Sequence, residues 1–155
     1  DRFLLKVVIG YPTKEEEKRI IRQNIMGDLD PLTPLVSPAE ILEAQKIVRK
    51  IYIDSKIEDY IVDIVFATRD PEKYGMHNLK GILEFGASPR ASISLAQASR
   101  AYAFLRGRGY VIPEDVRAVC HDVLRHRLGL SYEAEANNIS ADDVITDILD
   151  AVKVP

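Results

Sequence analysis

After Pro12 the apolar residues of this chain recur at three- and four-residue spacing, the period of a helix with one buried face. Ile57, Tyr60, Ile61, Ile64 and Val65 make the clearest stripe. Val116, Val119, Cys120, Val123, Leu124 and Leu128 make a second, and Val144, Ile145, Ile148, Leu149 and Val152 a third. Start signals agree with the stripes. Ser37-Pro38-Ala39-Glu40 offers a cap, a first-turn proline and an acid that reaches back. Thr13 precedes Glu15, Glu16 and Glu17, Pro113-Glu114-Asp115 opens another helix, and Ser140-Ala141-Asp142-Asp143 the last. Ile20, Ile21 and Ile25 line the first helix, which Gly27 stops. Ile41, Ala44 and Val48 line the second. Ala91, Leu95, Ala98, Tyr102 and Leu105 line a helix that ends at Gly107. One stretch reads otherwise. Phe3-Leu4-Leu5-Lys6-Val7-Val8-Ile9 is nearly continuous and apolar, the pattern of a strand buried on both faces, yet no strand set follows it. Its partners are expected outside this sequence. Ile51-Tyr52-Ile53 reads as a short extended link, 28–36 as a loop with two prolines, and 70–85 as a sixteen-residue loop.

Composition narrows the function classes. Lys and Arg total 21 against 24 Asp and Glu, a net charge of −3, which excludes a uniformly basic nucleic-acid binder. A single cysteine, Cys120, excludes an internal disulfide framework and fits a reducing compartment. No apolar run approaches the ~18 residues of a membrane span. The near-neutral total hides a split. Residues 86–127 hold seven Arg against three acids, and residues 128–155 hold six acids against Lys153. This is read either as charge compensated in the folded molecule or as a basic face turned towards nucleotide or a neighbouring subunit.

The chain holds no G-x-x-x-x-G-K-[ST] phosphate loop, and no strand in it ends in an Asp-Glu pair. His121 and His126 diverge by ~140° around a helix and make no metal motif. Cys120 sits on an apolar stripe and reads as core. The positive signal is Gly86-Ala87-Ser88-Pro89-Arg90. Ser88 is placed to cap and Pro89 to fix the first turn, so Arg90 projects from a helix N-terminus. A cation there opposes the helix dipole and gains from a nearby anion such as phosphate, or from an acid of the same domain.

Gly86-Ala87-Ser88-Pro89-Arg90-Ala91 followed by Gly109-Tyr110-Val111-Ile112-Pro113-Glu114-Asp115-Val116 resembles the C-terminal part of MoxR-type AAA+ ATPases. His126-Arg127-Leu128 with Leu130-Ser131-Tyr132-Glu133-Ala134, and the opening Asp1-Arg2-Phe3-Leu4 with Gly10-Tyr11-Pro12, resemble the same family in the same order. The resemblance implies a mainly α chain: a helical-bundle lid over 13–155, preceded at 1–12 by a strand remnant of an α/β nucleotide-binding core. It implies that Arg90 is the sensor-two arginine, with Ser88 and Pro89 shaping the cofactor-binding turn, and that Arg2 stands where related ATPases carry an arginine finger. It further implies ATP and Mg in the full-length parent, none bound to this stretch alone, and no hydrolysis by it alone. A chaperone-like, cytoplasmic parent forming a homo-oligomer, a hexameric ring, acting on a client protein, follows from the same resemblance. Two other readings stand beside it: a stand-alone helical protein-interaction module, and a helix-turn-helix nucleic-acid binder using Arg117, Arg125 and Arg127, which the acidic C-terminus disfavours.

Overall fold

The computed structural model describes residues 2–26 and 32–155. Helix α1 (Lys14–Met26) and helix α2 (Pro38–Val48) come first. They are followed by α3 (Ser55–Ala67), strand β1 (Leu83–Phe85), α4 (Pro89–Leu105), α5 (Pro113–Leu124), strand β2 (Gly129–Leu130), α6 (Tyr132–Ala136) and α7 (Ala141–Ala151). The chain is mainly helical, as expected. The Gly27 stop and most of the proline loop's first half lie outside the described residues.

Helix starts follow local chemistry. Ser37 Oγ accepts from Glu40 N–H at 3.3 Å while Glu40 accepts from Ser37 N–H at 2.6 Å. Ser140 and Asp143 repeat this reciprocal cap on α7 at 3.2 and 2.8 Å. Thr13 and Glu16 do the same before α1. The hydrogen bonds that the Glu40 and Asp143 carboxylates accept hold both below the usual carboxylate range.

The core lies among α3, α4, α5 and α7, with α4 packed most extensively against α5. Tyr60, Ile64, Leu95, Val116, Leu124, Ile145 and Ile148 are its fully buried centre, drawn from the stripes read in the sequence. Cys120 is buried there, and burial pushes its thiol up to about 12. The 51–53 link is extended: Tyr52 N–H donates to Gly109 O and Val111 N–H to Tyr52 O, each at 3.0 Å.

Several expectations need correction. The apolar run 3–9 carries no strand among the described residues. It is not buried on either face, with Phe3 81% and Ile9 90% exposed. A strand is made by its neighbours, and β1 and β2 pair only with each other, antiparallel, Leu83 opposite Leu130. The segment 70–85 is not a plain loop. It holds 3₁₀ turns at Pro71–Tyr74 and His77–Leu79 and then β1, and Met76, Leu79 and Ile82 anchor it in the core. On α4, Ala91, Leu95 and Ala98 face inward, Tyr102 is half-buried, and Leu105 is 79% exposed because the last turn runs past the core. The stripes of α1 and α2 are formed but not covered: Ile20, Ile21, Ile25 and Ile41 are exposed.

Candidate functional site

The turn before α4 is held on both sides by the end of α3. Ala87 N–H donates to Thr68 Oγ1 at 2.9 Å, and that buried hydroxyl donates onward to Val65 O at 2.6 Å. Arg69 Nε donates to Ala87 O at 2.7 Å, with its guanidinium 4.9 Å from the Phe66 ring centre. Gly86 is required by space rather than by backbone angle. A Cβ there would collide with the Thr68 carbonyl oxygen and lie 2.9 Å from Arg69 Cα, both backbone atoms that cannot swing away.

This fixes the helix start. Ser88 occupies the N-cap position with φ −79° and ψ 169°, but the expected side-chain cap bond is not made. Its carbonyl accepts from Ala91 N–H at 2.8 Å. Pro89 is exposed at the first helical position. Arg90 follows, exposed, with no hydrogen-bond or ion-pair partner among the described residues. The within-domain acid considered from the sequence is therefore not observed.

Arg90 lines an open cleft of about 400 Å³ that Arg2 and Arg127 also line, together with Ser94 and Gln97. No carboxylate lines it among the described residues. Sequence reasoning named Arg2 and Arg90 separately; the fold brings them to one cleft. It placed Arg127 in a motif, in a charge count and in the helix-turn-helix reading, but not at this cleft. Arg127 is 5% exposed, and burial draws its guanidinium down from the usual arginine range. Thr68 and Arg69 were also missed, and the only signal was their place directly after an apolar stripe.

The other arginines are mostly used internally. Arg108 grips Asp115 with both terminal nitrogens, and Ile112 N–H donates to the same buried carboxylate at 2.9 Å. Arg117 pairs with Asp150 at 3.1 Å, and Arg125 with Asp122 and with Asp142 at 3.0 Å. Arg106 lies over Tyr102. The basic stretch and acidic tail of the sequence thus compensate each other across α5 and α7, which removes the basic helix face that a helix-turn-helix reading needs. No three His, Cys, Asp or Glu converge as metal ligands among the described residues. No helix among them is long and apolar enough to cross a membrane.

The chain is similar to known proteins along its whole length. Residues 79–148 match the AAA lid domain. Over its whole length the chain is 46% identical to Chaperone MoxR1 of Mycobacterium tuberculosis, covering 41% of that protein. It is 36% identical to the uncharacterized protein YeaC of Bacillus subtilis, covering 46% of it. It is 32% identical to Protein MoxR of Methylorubrum extorquens, covering 49%. The chain therefore spans less than half the length of these relatives. The crystal structure of a candidate ATPase from Cytophaga hutchinsonii superimposes with a TM-score of 0.94 at 37% identity, over 99% of this chain and 47% of that one. In sequence and in fold the chain is similar to the C-terminal region of the MoxR-type AAA+ ATPases, with the AAA lid domain matched over residues 79–148.

Proposed function

We propose that this chain is the lid of an ATP-driven, chaperone-like machine, and that Arg90 contacts the phosphates of ATP bound by the rest of the same protein. One observation carries the reading: Arg90 projects from a rigidly held helix start into a cleft it shares with Arg2 and Arg127, and has no partner among the described residues. A fixed cation aimed at developing phosphate charge costs no reorganisation during reaction. Ser88 and Pro89 act by setting the turn rather than by touching phosphate. Arg2, exposed at the rim, is an arginine finger for a neighbouring subunit of a homo-oligomeric, hexameric ring. Residues 1–12 belong with the nucleotide-binding core and 13–155 form the lid, in a cytoplasmic protein.

The donor set fits a polyphosphate: the cleft offers guanidinium groups, a hydroxyl and an amide. Among the described residues it offers no oxygen anion for Mg²⁺, and the reading assigns the metal and the cradle of backbone donors to the core. When bound, MgATP supplies the phosphoryl group. The lid's residues orient and neutralise it. Accordingly, the isolated chain has no ATP turnover, and robust hydrolysis by it overturns the reading. In the full-length protein, Arg90→Ala lowers turnover or nucleotide-dependent assembly about a hundred-fold at unchanged melting temperature. Wild-type turnover and assembly in that variant remove Arg90 from the site.

The uncovered apolar faces favour a second reading, a protein-interaction module. Ile41, Ala44 and Val48 of α2 form a groove with Phe104 and Leu105 of α4. An upstream phosphate loop in the full-length sequence decides for the ATPase reading.

A further inference from the structure

Three consecutive residues just beyond α5 reach back to the first described residues. Arg127 Nη2 donates to Phe3 O at 2.6 Å while its Nη1 donates to Val123 O at 3.1 Å. His126 Nε2 lies 3.1 Å from the same Phe3 carbonyl. A carbonyl only accepts, so the ring carries a proton on Nε2 in this contact. Arg125 Nη1 donates to Lys6 O at 2.6 Å, and Lys6 N–H donates to Asp122 O at 2.8 Å. The Phe3 carbonyl and the N–H and C=O of Lys6 are therefore all held by one helix end. Arg127 bridges the last turn of that helix and the incoming chain. It does so almost wholly out of water, where such bonds are strong and costly to leave unmade.

The grip is on the residue next to Arg2, and Arg127 lines the cleft that Arg2 and Arg90 share. We propose that Arg127 is a positioning residue. By holding the Phe3 carbonyl it sets Arg2 in register with Arg90, so that the lid itself determines where the outward-acting arginine stands. Arg90 is fixed to α4 and Arg2 to the end of α5, and the tight packing of these helices makes the two cations one rigid unit. The inference rests on the role given to Arg2 above.

The experiment uses the full-length protein and two readouts. The first is amide exchange at Lys6. Arg127→Ala raises it at least about ten-fold, while amides in the middle of α5 stay protected. Unchanged Lys6 exchange overturns the grip. The second is a turnover cycle with Arg2→Ala. Arg127→Ala lowers kcat about a hundred-fold with little change in KM, and adding it to Arg2→Ala costs nothing further. Multiplicative losses overturn the positioning role, because a merely structural residue lowers both backgrounds alike. Arg127→Lys keeps the charge but lacks the fork that spans Phe3 O and Val123 O. It shows the same pattern at smaller amplitude and serves if Arg127→Ala does not fold. Wild-type turnover in Arg2→Ala alone sinks the role of Arg2, and with it the positioning role. The exchange readout still reports the grip separately.

Discussion

Residues 2–48 and 51–155 obey the same local rules and end in opposite states. Each half has a reciprocal Ser–acid cap, Ser37 with Glu40 and Ser140 with Asp143. Each has helices with apolar stripes. Yet among the described residues the buried apolar ones all lie from Ile51 onward, and α1 and α2 bury no described side chain fully. Capping and periodicity therefore specify helices, while a core needs a second surface at the right distance. The first region has its faces ready and lacks what covers them.

The largest test of this contrast is a pair of truncations followed by urea unfolding. Leu95→Ala, in the buried centre, costs about 3 kcal/mol. Ile21→Ala, on the uncovered stripe of α1, changes stability by less than about 0.5 kcal/mol. Equal losses would erase the distinction. Next comes Gly86→Ala, which overpacks the Gly86–Thr68 contact and costs about 2 kcal/mol. In the full-length protein it also displaces Arg90, so turnover falls further than the stability loss explains.

The caps give a smaller and sharper effect. Ser140→Ala costs about 1 kcal/mol of global stability, because α7 is part of the core. Ser37→Ala frays α2 in hydrogen exchange without moving the global transition. The cap carboxylates extend this to pH. Asp143 and Glu40 are held below their ordinary range, so the unfolded state takes up protons first as pH falls. Their stabilisation is present above the unfolded carboxylate pKa of ~4 and is lost as pH drops through the lower folded value. Asp143→Asn flattens the acid side of the global stability curve, and Glu40→Gln flattens only the local opening of α2. The smallest effect is a null one: Cys120, with its thiol pushed up to about 12, resists alkylation at pH 8 until the core unfolds.

Much of this was legible in the sequence, for physical reasons that differ by element. The stripes of α3, α5 and α7 were readable because each runs three turns against one core, so every turn repeats the signal. Ser37, Ser140 and Pro113 were readable because capping is local. What failed was short or distant. Helix α6 is barely one turn and gives no period. The fold of 70–85 depends on Ile82 O accepting from Ser131 N–H at 2.9 Å, a partner far along the chain. Leu105 continued a valid stripe beyond the edge of the core. The run at 3–9 was recognised as a strand by composition, but pairing is a property of two segments. At the site, Arg90 was legible because Ser-Pro-Arg is a helix start. The convergence of Arg2, Arg127 and Arg90 is tertiary, as are the Thr68 and Arg69 contacts that hold the turn.

The reach of Arg125, His126 and Arg127 to the entering chain has one more consequence. Their targets at Phe3 and Lys6 are main-chain atoms, which every residue type provides. The receiving positions are therefore free to drift in side chain while the donors are not. Mutational tolerance along this contact should be one-sided: broad at 3 and 6, narrow at 125 and 127, with proline at 6 the exception because it abolishes the N–H given to Asp122. A segment so attached can change its exposed chemistry, and whatever it meets, without loosening its mooring to the lid.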